Sequence, residues 1–336
     1  MLRSLRHRTS AKYTGLLVFA LLLILAMLGS VTLGIKPYSL HQVMEAYTAY
    51  NGSNEHIIIR TTRVPRACIA AVVGASLAVA GALMQAVTRN PLASPSLFGV
   101  NAGAAFAIVF SVAFLDLSGL TTFTWTAFAG AAVSAAAVYG LGSAGRGGMT
   151  PIKITLAGST LSAFFLSLTQ GILLANGKAF DEVLFWLVGS VSGRTMEMLL
   201  AVLPYMLGAL AGSFVLSPHI NILTMGDDVA KGLGQRTMLI KSMAALVIVL
   251  LAGGSVAVAG PIVFVGIIIP HIVRFLIGAD YRWIVRYCAL LGALLLVAAD
   301  LGARFLIMPK EVPVGVATAL IGVPFFVYIA RKGGRL

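Results

Sequence analysis

Charged residues are scarce in this sequence, since Asp, Glu, Lys and Arg make up only 10% of its 336 residues. Soluble domains usually contain about 25%, because a water-soluble fold covers its surface with charge. Soluble enzymes, nucleic-acid-binding modules and disordered proteins are therefore excluded. The chain has instead 59% hydrophobic residues and a mean hydropathy of +0.97. These values predict an integral membrane protein.

Residues for catalysis and metal binding are also few. The two cysteines, Cys68 and Cys288, lie far apart in apolar runs, which excludes a disulfide framework and a cysteine metal site. The sequence contains no G-x-x-x-x-G-K-[ST] motif, so the chain has no P-loop for a nucleotide. The five histidines are scattered without an H-x-x-x-H pair. The sequence therefore predicts neither an enzyme nor a bound cofactor or metal ion.

Ten apolar runs dominate the chain, most of them close to the roughly 20 residues that a membrane-spanning helix needs. The expected fold class is an all-α integral membrane protein with ten transmembrane helices in a single domain, residues 1–336. The eighth run is short and bounded by Pro261 and Pro270, which favours a broken, tilted or buried helix. The predicted spans are Tyr13–Leu33, Ala67–Val87, Leu97–Leu115, Phe123–Leu141, Ile154–Leu174, Met198–Leu216, Met238–Ala259, Val263–Ile277, Tyr287–Leu306 and Val312–Ala330.

Positive charge is distributed unevenly between the two sides that ten spans define. If the N-terminus is cytoplasmic, the cytoplasmic segments hold 16 Lys and Arg against 3 Asp and Glu, whereas the outer segments hold 8 of each kind. Cytoplasmic loops of membrane proteins carry the excess of Lys and Arg. Both termini are therefore predicted to be cytoplasmic. The first run is too long for a signal peptide and no A-x-A cleavage site follows it, so we expect it to be a span.

Two segments of the sequence are alike. G-A-S-L-A-V-A-G at 74–81 and G-G-S-V-A-V-A-G at 253–260 share six of eight positions. They lie in spans of opposite direction, which indicates an inverted repeat of spans 2–5 and 7–10, a common design in transporters. A chance match between Gly-, Ala- and Val-rich helices is the alternative. G-x-x-x-G patterns at 99–103, 189–193 and 208–212 predict close helix packing.

Ion coupling has one candidate site, because Asp300 and Arg304 lie four residues apart in the ninth run. The same spacing suits a structural ion pair, and a role at the outer surface is a third possibility. The runs contain no other acidic residue, so the chain shows no energy source of its own. We therefore expect a partner subunit to drive transport.

The loop between the sixth and seventh runs offers an element for such a partner, about residues 217–237. Its stretch from Leu223 to Gly234 predicts a short helix that begins with Asp227 and Asp228 and is stopped by glycine. The apolar side chains Val229, Ala230 and Leu233 could fill a groove on another protein. The alternative is an ordinary solvated connector.

On the predicted outer side, Arg60, Arg63 and Arg66 precede the second span at a spacing of three residues. Arginines at helix ends commonly extend to the lipid headgroups. A cluster on the side where basic residues are rare favours an acidic partner instead. Upstream, Ser39 and Gln42 form a capping-box pattern that opens an amphipathic stretch to about Tyr50, which we expect at the membrane interface.

Several motifs resemble those of the FecCD-type permeases of ABC importers, which carry ferric siderophores, haem or vitamin B12 into bacteria. These motifs are R-V-P-R (63–66), G-A-S-L-A-V-A-G-A-L-M-Q (74–85), R-N-P-L-A-S-P-S-L-F-G-V (89–100), W-L-V-G-S (186–190), G-D-D-V-A-K-G-L-G (226–234), G-P-I-V-F-V-G-I-I-I-P-H-I-V-R (260–274), D-L-G-A-R (300–304) and E-V-P-V-G-V-x-T-A-L-I-G-V-P-F-F (311–326). Their order and spacing cover almost the whole chain.

The resemblance implies a subunit of a permease dimer in the bacterial cytoplasmic membrane, with two cytoplasmic ATPase subunits and an extracytoplasmic binding protein that delivers the metal chelate. Ferric siderophore is the first expectation for the cargo, with haem and vitamin B12 as alternatives. The second permease subunit can be identical or a paralogue. A secondary carrier that uses Asp300, or a membrane scaffold without transport, would be a different class of protein.

The resemblance also assigns roles to residues of this chain. Arg63, Arg66 and Arg304 match arginines that meet glutamates of the binding protein. Asn90 and Leu92 match positions that help to close the cytoplasmic end of the pathway. The residues that match the coupling helix seated on the ATPase are Gly226, Asp227, Asp228, Ala230, Gly232, Leu233 and Gly234.

Overall fold

The computed structural model describes residues 9–144, 150–307 and 310–331. The basic residues at positions 3, 6 and 8, which contribute to the predicted orientation, lie outside this part of the chain. The described residues form fourteen helices: α1 (Thr9–Thr32), α2 (Leu40–Thr48), α3 (Asn54–Ile58), α4 (Val64–Thr88), α5 (Val100–Leu115), α6 (Leu120–Ser143), α7 (Pro151–Ala175), α8 (Gly177–Leu187), α9 (Met196–Thr224), α10 (Asp227–Gly232), α11 (Thr237–Ala259), α12 (Val265–Ile277), α13 (Tyr281–Leu306) and α14 (Val314–Arg331).

A helix coincides with each of the ten predicted spans. Seven helical segments of the described chain are long and apolar enough to cross a membrane. The helices α5 and α12, together with the part of α14 from Val314 to Ile329, are apolar but shorter. A π-helical turn, Ile59–Arg63, joins α3 to α4. The helical segment that contains the second apolar run therefore begins before that run, at Asn54. The all-α membrane fold with ten apolar helices is confirmed.

The loop predicted after the sixth span is shorter than expected, because α9 continues to Thr224 and does not end at Leu216. Pro218 lies inside this helix and has no amide to donate to the carbonyl of Phe214. The hydroxyl of Ser217 donates to that carbonyl at 2.8 Å instead. Ile220, further along α9, is fully buried. Tertiary packing therefore extends the helix past the proline at which the apolar run stops.

Three helices lie outside the predicted spans in connections of the predicted outer side, namely α2, α3 and α8. The capping box that opens α2 is confirmed, since Gln42 N donates to Ser39 Oγ at 3.2 Å and Ser39 N donates to Gln42 Oε1 at 2.8 Å. The helix α8 had no counterpart in the predictions. It begins at Asn176, whose side chain accepts from the amide of Ala179 at 3.0 Å.

The core of the protein is built around α4 and α11, which pack against each other and are mostly buried. The helix α4 packs on α12 and α13, whereas α11 packs on α5 and α6. If spans 2–5 and 7–10 are two copies of one unit, the neighbours of α4 in the second copy correspond to the neighbours of α11 in the first copy. The packing is therefore that of a two-fold repeated structure, in agreement with the sequence repeat at 74–81 and 253–260.

Glycines allow the closest helix approaches in this core. Gly81 of α4 faces the backbone of Gly266 in α12, and Gly74 of α4 faces Gly292 of α13. A methyl group at any of these positions would overlap main-chain atoms of the facing helix. Among the predicted G-x-x-x-G patterns, the one at 99–103 packs tightly on α6. In the pattern at 208–212, nothing lies within 4 Å of the place of a Cβ at Gly208.

Replacing Gly81 by alanine should lower the free energy of unfolding by about 1–3 kcal/mol, because the added methyl group forces α4 and α12 apart. Gly208→Ala is the matched control, since open space surrounds that position and alanine favours a helix. Titration of the purified proteins from mild detergent into SDS, followed by circular dichroism, measures both. Equal stability of G81A and the wild type would contradict the tight approach of these helices.

Candidate functional site

The connections between the spans gather at two ends of the helical bundle. One end, here named the Arg63 end, carries the segments 33–63, 116–119, 176–195, 260–264 and 307–313, with 308–309 not described. The other end, named the Asp227 end, carries 89–99, 225–236 and 278–280, together with the described residues on either side of 145–149. The candidate residues of the sequence fall into one group at each end.

At the Arg63 end, a buried ion cluster surrounds Asp300, which is 1% exposed. Arg66 Nη2 donates to Asp300 Oδ1 at 2.8 Å and its Nε donates to Oδ2 at 2.9 Å. Arg304 Nη2 donates to the same Oδ2 at 2.6 Å, and its guanidinium also donates to the carbonyl and hydroxyl oxygens of Ser30. Arg66 Nη1 reaches Glu311 at 2.6 Å. This Asp300 cluster ties α1, α4 and α13 to the connection before α14.

Burial distinguishes the three arginines that the resemblance assigns to docking. Arg66 and Arg304 are 5% and 2% exposed and are held by carboxylates of their own chain. Both guanidinium groups therefore lie inside the bundle, where they pair with Asp300. Arg63 is half-buried and donates to the carbonyls of Leu33 and Lys36 at 2.6 and 3.3 Å. A docking role for all three stays a prediction.

The carboxyl group of Glu311 lies in the connection between α13 and α14. Burial raises the pKa of Glu311, but the charge and the hydrogen bond of Arg66 outweigh it, so this pKa lies below its ordinary value. Its ion pair is therefore charged at neutral pH. The stabilisation that it provides is lost only as the pH falls below about 4.5 and through the lower pKa of the folded state.

At the Asp227 end, the helix α10 begins at Asp227 after Gly226, whose φ is +122°, and ends at Gly232. The predicted short helix with acidic residues in its first turn is confirmed. Asp227 Oδ1 accepts from Arg89 Nη2 at 2.5 Å, and its Oδ2 accepts from Lys241 Nζ at 2.6 Å. We name these three residues the Asp227 clasp. They connect α10 to the end of α4 and to the start of α11.

The pKa of Asp227 shows that the clasp is ionised under ordinary conditions. Burial raises this pKa, but the hydrogen bond and charge of Lys241, together with the charge of Arg89, outweigh it and leave the pKa below its ordinary value. The contribution of the clasp to stability is complete above about pH 4 and is lost as the pH falls further.

The side chains of α10 and its flanks point in different directions. Val229 and Leu233 are 46% and 64% exposed, and Asp228 is exposed, whereas Ala230 is fully buried. The expectation that Ala230 shares the apolar contact surface with its neighbours is therefore wrong. One turn of helix packed on the bundle must bury one side, and a small residue suits that side. Gly234 follows with a φ of +79°, which reverses the chain.

The predicted gate residues follow the clasp directly in the chain. Arg89 ends α4 with a φ of +49°, and the exposed Asn90 accepts from the amide of Leu92 through Oδ1 at 2.9 Å. The side chain of Asn90 thus shapes the turn, and Leu92 is half-buried beside it. No sequence pattern singles out Arg89 or Lys241, because basic residues at helix ends are ordinary.

Comparison with known proteins shows similarity along nearly the entire chain. The model of the FecCD transport family matches residues 21–332. The probable siderophore transport system permease protein YfiZ of Bacillus subtilis (strain 168) is 55% identical over 329 residues, which cover 98% of this chain and 99% of that protein. The ferric enterobactin transport system permease protein FepD of Escherichia coli (strain K12) is 40% identical, with 94% of each chain covered.

A solved structure has the same architecture. It is described as an inward-facing conformation of a metal-chelate type ABC transporter, and it is 28% identical in sequence to this chain. The superposition covers 95% of this chain and 99% of the other, with a TM-score of 0.82. The similarity therefore includes the helices that carry both groups of candidate residues.

Proposed function

Since this chain belongs to the FecCD transport family, we propose that it is the membrane permease subunit of a bacterial ABC importer for ferric siderophores. The observation that carries the proposal is the 55% identity over the full length of a probable siderophore permease. Other relatives are named for ferric citrate, ferric hydroxamate and ferric enterobactin. These cargoes share a chelated ferric ion, so a ferric chelate is the substrate class.

The proposed assembly contains this chain, a second permease subunit of the same or a related sequence, two cytoplasmic ATPase subunits and an extracytoplasmic binding protein. In this assembly ATP is hydrolysed by the partner subunits, because this chain lacks a P-loop. Val229 and Leu233 provide apolar side chains for contact with an ATPase. The Asp227 end would then lie in the cytoplasm with both termini, and the Arg63 end would face the binding protein.

The proposed mechanism passes the motion of the ATPases through α10 to the gate. A displacement of α10 pulls on Arg89 through the Asp227 clasp, and Arg89 immediately precedes Asn90 and Leu92. Two ion pairs make this connection, one to Arg89 and one to Lys241. Opening and closing of the cytoplasmic end would therefore follow the movement of the coupling helix.

The proposed function is tested by uptake of a radiolabelled ferric siderophore into a strain that lacks the gene, with and without the gene restored. We expect uptake only in the complemented cells, and loss of uptake when ATP is depleted. An uncoupler applied at constant ATP should have little effect. Uptake that stops with the uncoupler would instead indicate a secondary carrier. Purification from native membranes should recover an ATPase and a binding protein with the chain.

Arg63 is the docking residue whose charge is most accessible at the Arg63 end. Arg63→Gln removes the charge but retains an amide donor for Leu33 O, and we expect affinity for the binding protein to fall about tenfold. Lys36→Gln is the matched control, since Lys36 is an exposed cation of the same surface that pairs with Glu55. Surface plasmon resonance with the reconstituted permease measures both. Unchanged affinity of R63Q would refute this docking role.

A further inference from the structure

A cavity of about 490 Å³ at the Arg63 end is used by none of the proposed steps. Its wall comes from the start of α6, from α8 with the connection that follows it, and from the connection before α14. The polar side chains in this wall are those of Glu182, Trp186, Ser190, Ser192, Arg194 and Glu311. One of them, Arg194, is a cation without an ion-pair partner among the described residues.

Arg194 is 8% exposed, and its Nε donates to the carbonyl of Ser190 at 3.2 Å. Among the described residues, no carboxylate forms an ion pair with its guanidinium. Burial lowers the pKa of Arg194 to about 10, and no neighbouring charge acts against this effect. A buried cation normally has a counter-ion, because burial removes part of its hydration.

Trp186 also contributes to the wall and is 2% exposed. Its indole Nε1 has no acceptor within the described parts of the chain, but this atom is covered by protein atoms and does not face the cavity. The cavity therefore contains one cationic donor group, the guanidinium of Arg194, and has room for an acceptor that the chain does not supply.

The two carboxylates in the wall do not serve as this acceptor. Glu311 is already held by Arg66 Nη1 at 2.6 Å and by the hydroxyl of Ser192 at 3.1 Å. Glu182 is exposed to solvent. Neither carboxylate forms an ion pair with Arg194. The positive charge of Arg194 is therefore available to a ligand.

We propose that this cavity binds a carboxylate group of the ferric chelate as the cargo enters the permease, with Arg194 as its donor. The inference rests on the proposed function and adds a preference for chelates with a free carboxylate. A planar guanidinium matches the two oxygens of a carboxylate. Because Arg194 is recessed, a small ligand that enters the cavity reaches it more readily than a side chain of a docked protein.

Binding of radiolabelled ferric citrate to the permease–ATPase complex in nanodiscs, without any binding protein, tests the site. We expect saturable binding that Arg194→Gln weakens about tenfold or more. Arg194→Lys should retain part of the affinity. Glu182→Gln removes a negative charge that repels the carboxylate of the ligand, so it should strengthen binding. Asp181→Asn, on the exposed side of α8, is the matched control.

Three results would overturn the site. In the first, the wild type does not bind ferric citrate, or binds it no more tightly than it binds ferrichrome, a neutral ferric trihydroxamate. Another is unchanged binding by R194Q when its SDS unfolding curve matches the wild type. The third is weaker docking of the binding protein by R194Q with citrate binding intact, which would assign the site to a protein carboxylate. ATP-driven uptake of a neutral siderophore together with any of these results would leave the proposed function standing.

Discussion

Asp300→Asn should lower the free energy of unfolding by about 3–5 kcal/mol, the cost of removing one partner from a buried ion pair. The reason is the number of groups that Asp300 satisfies, since it accepts from both Arg66 and Arg304 and is 1% exposed. Without the charge of Asp300, Arg304 keeps only the oxygens of Ser30 in α1 and of Leu33 as partners. Arg66 keeps Glu311. SDS titration of the purified variant, followed by circular dichroism, measures the loss.

The control for this prediction is Asp116→Asn, which breaks an ion pair with Lys178 between two exposed side chains. Exposed pairs contribute little, so that variant should unfold like the wild type. The double variant D300N/R304Q removes both charges and leaves Arg66 paired with Glu311, so it should recover part of the loss. Wild-type stability of D300N would show that the Asp300 cluster does not hold α1, α4 and α13 together.

Asp227→Asn should reduce siderophore uptake at least about tenfold while the ATPase subunits still co-purify with the permease. The substitution weakens both arms of the Asp227 clasp. The arm to the buried Lys241 is a charge-assisted contact worth about 1.5–3 kcal/mol. The arm to the partly exposed Arg89 is worth about 1 kcal/mol or less. It leaves Val229 and Leu233 exposed for the ATPase. The expected result is therefore ATP hydrolysis without transport. The measurement is the number of chelates transported per ATP hydrolysed in proteoliposomes.

Arg89→Gln should reproduce this loss of coupling, because it separates α10 from the end of α4 but retains the contact of Asp227 with Lys241. Asp116→Asn is again the control, as an ion-pair variant at the opposite end of the bundle. If D227N and R89Q transport as many chelates per ATP as the wild type, the clasp does not transmit the motion. Loss of the ATPase from D227N would instead make Asp227 part of the ATPase interface.

Local sequence patterns were sufficient for the elements whose formation depends on neighbours in the chain. Apolar runs of about 20 residues locate the spans, because a helix in lipid must be apolar along its length. The capping box at Ser39 and Gln42 and the acidic start of α10 depend on contacts within one helical turn. The end of α9 was not predictable, since its last turns are stabilised by packing of Ile220 against other helices.

The amino-acid sequence alone is enough for the fold class, the spans, the similar segments at 74–81 and 253–260, and the chemical types of the candidate residues. Which of these residues are accessible depends on the packing of the helices. Arg66 lies 234 residues from Asp300 in the chain, and Arg89 lies 138 residues from Asp227. Such pairings depend on how distant helices pack, and the same packing buries Arg304, Ala230 and Arg194. No pattern within a single helix carries that information.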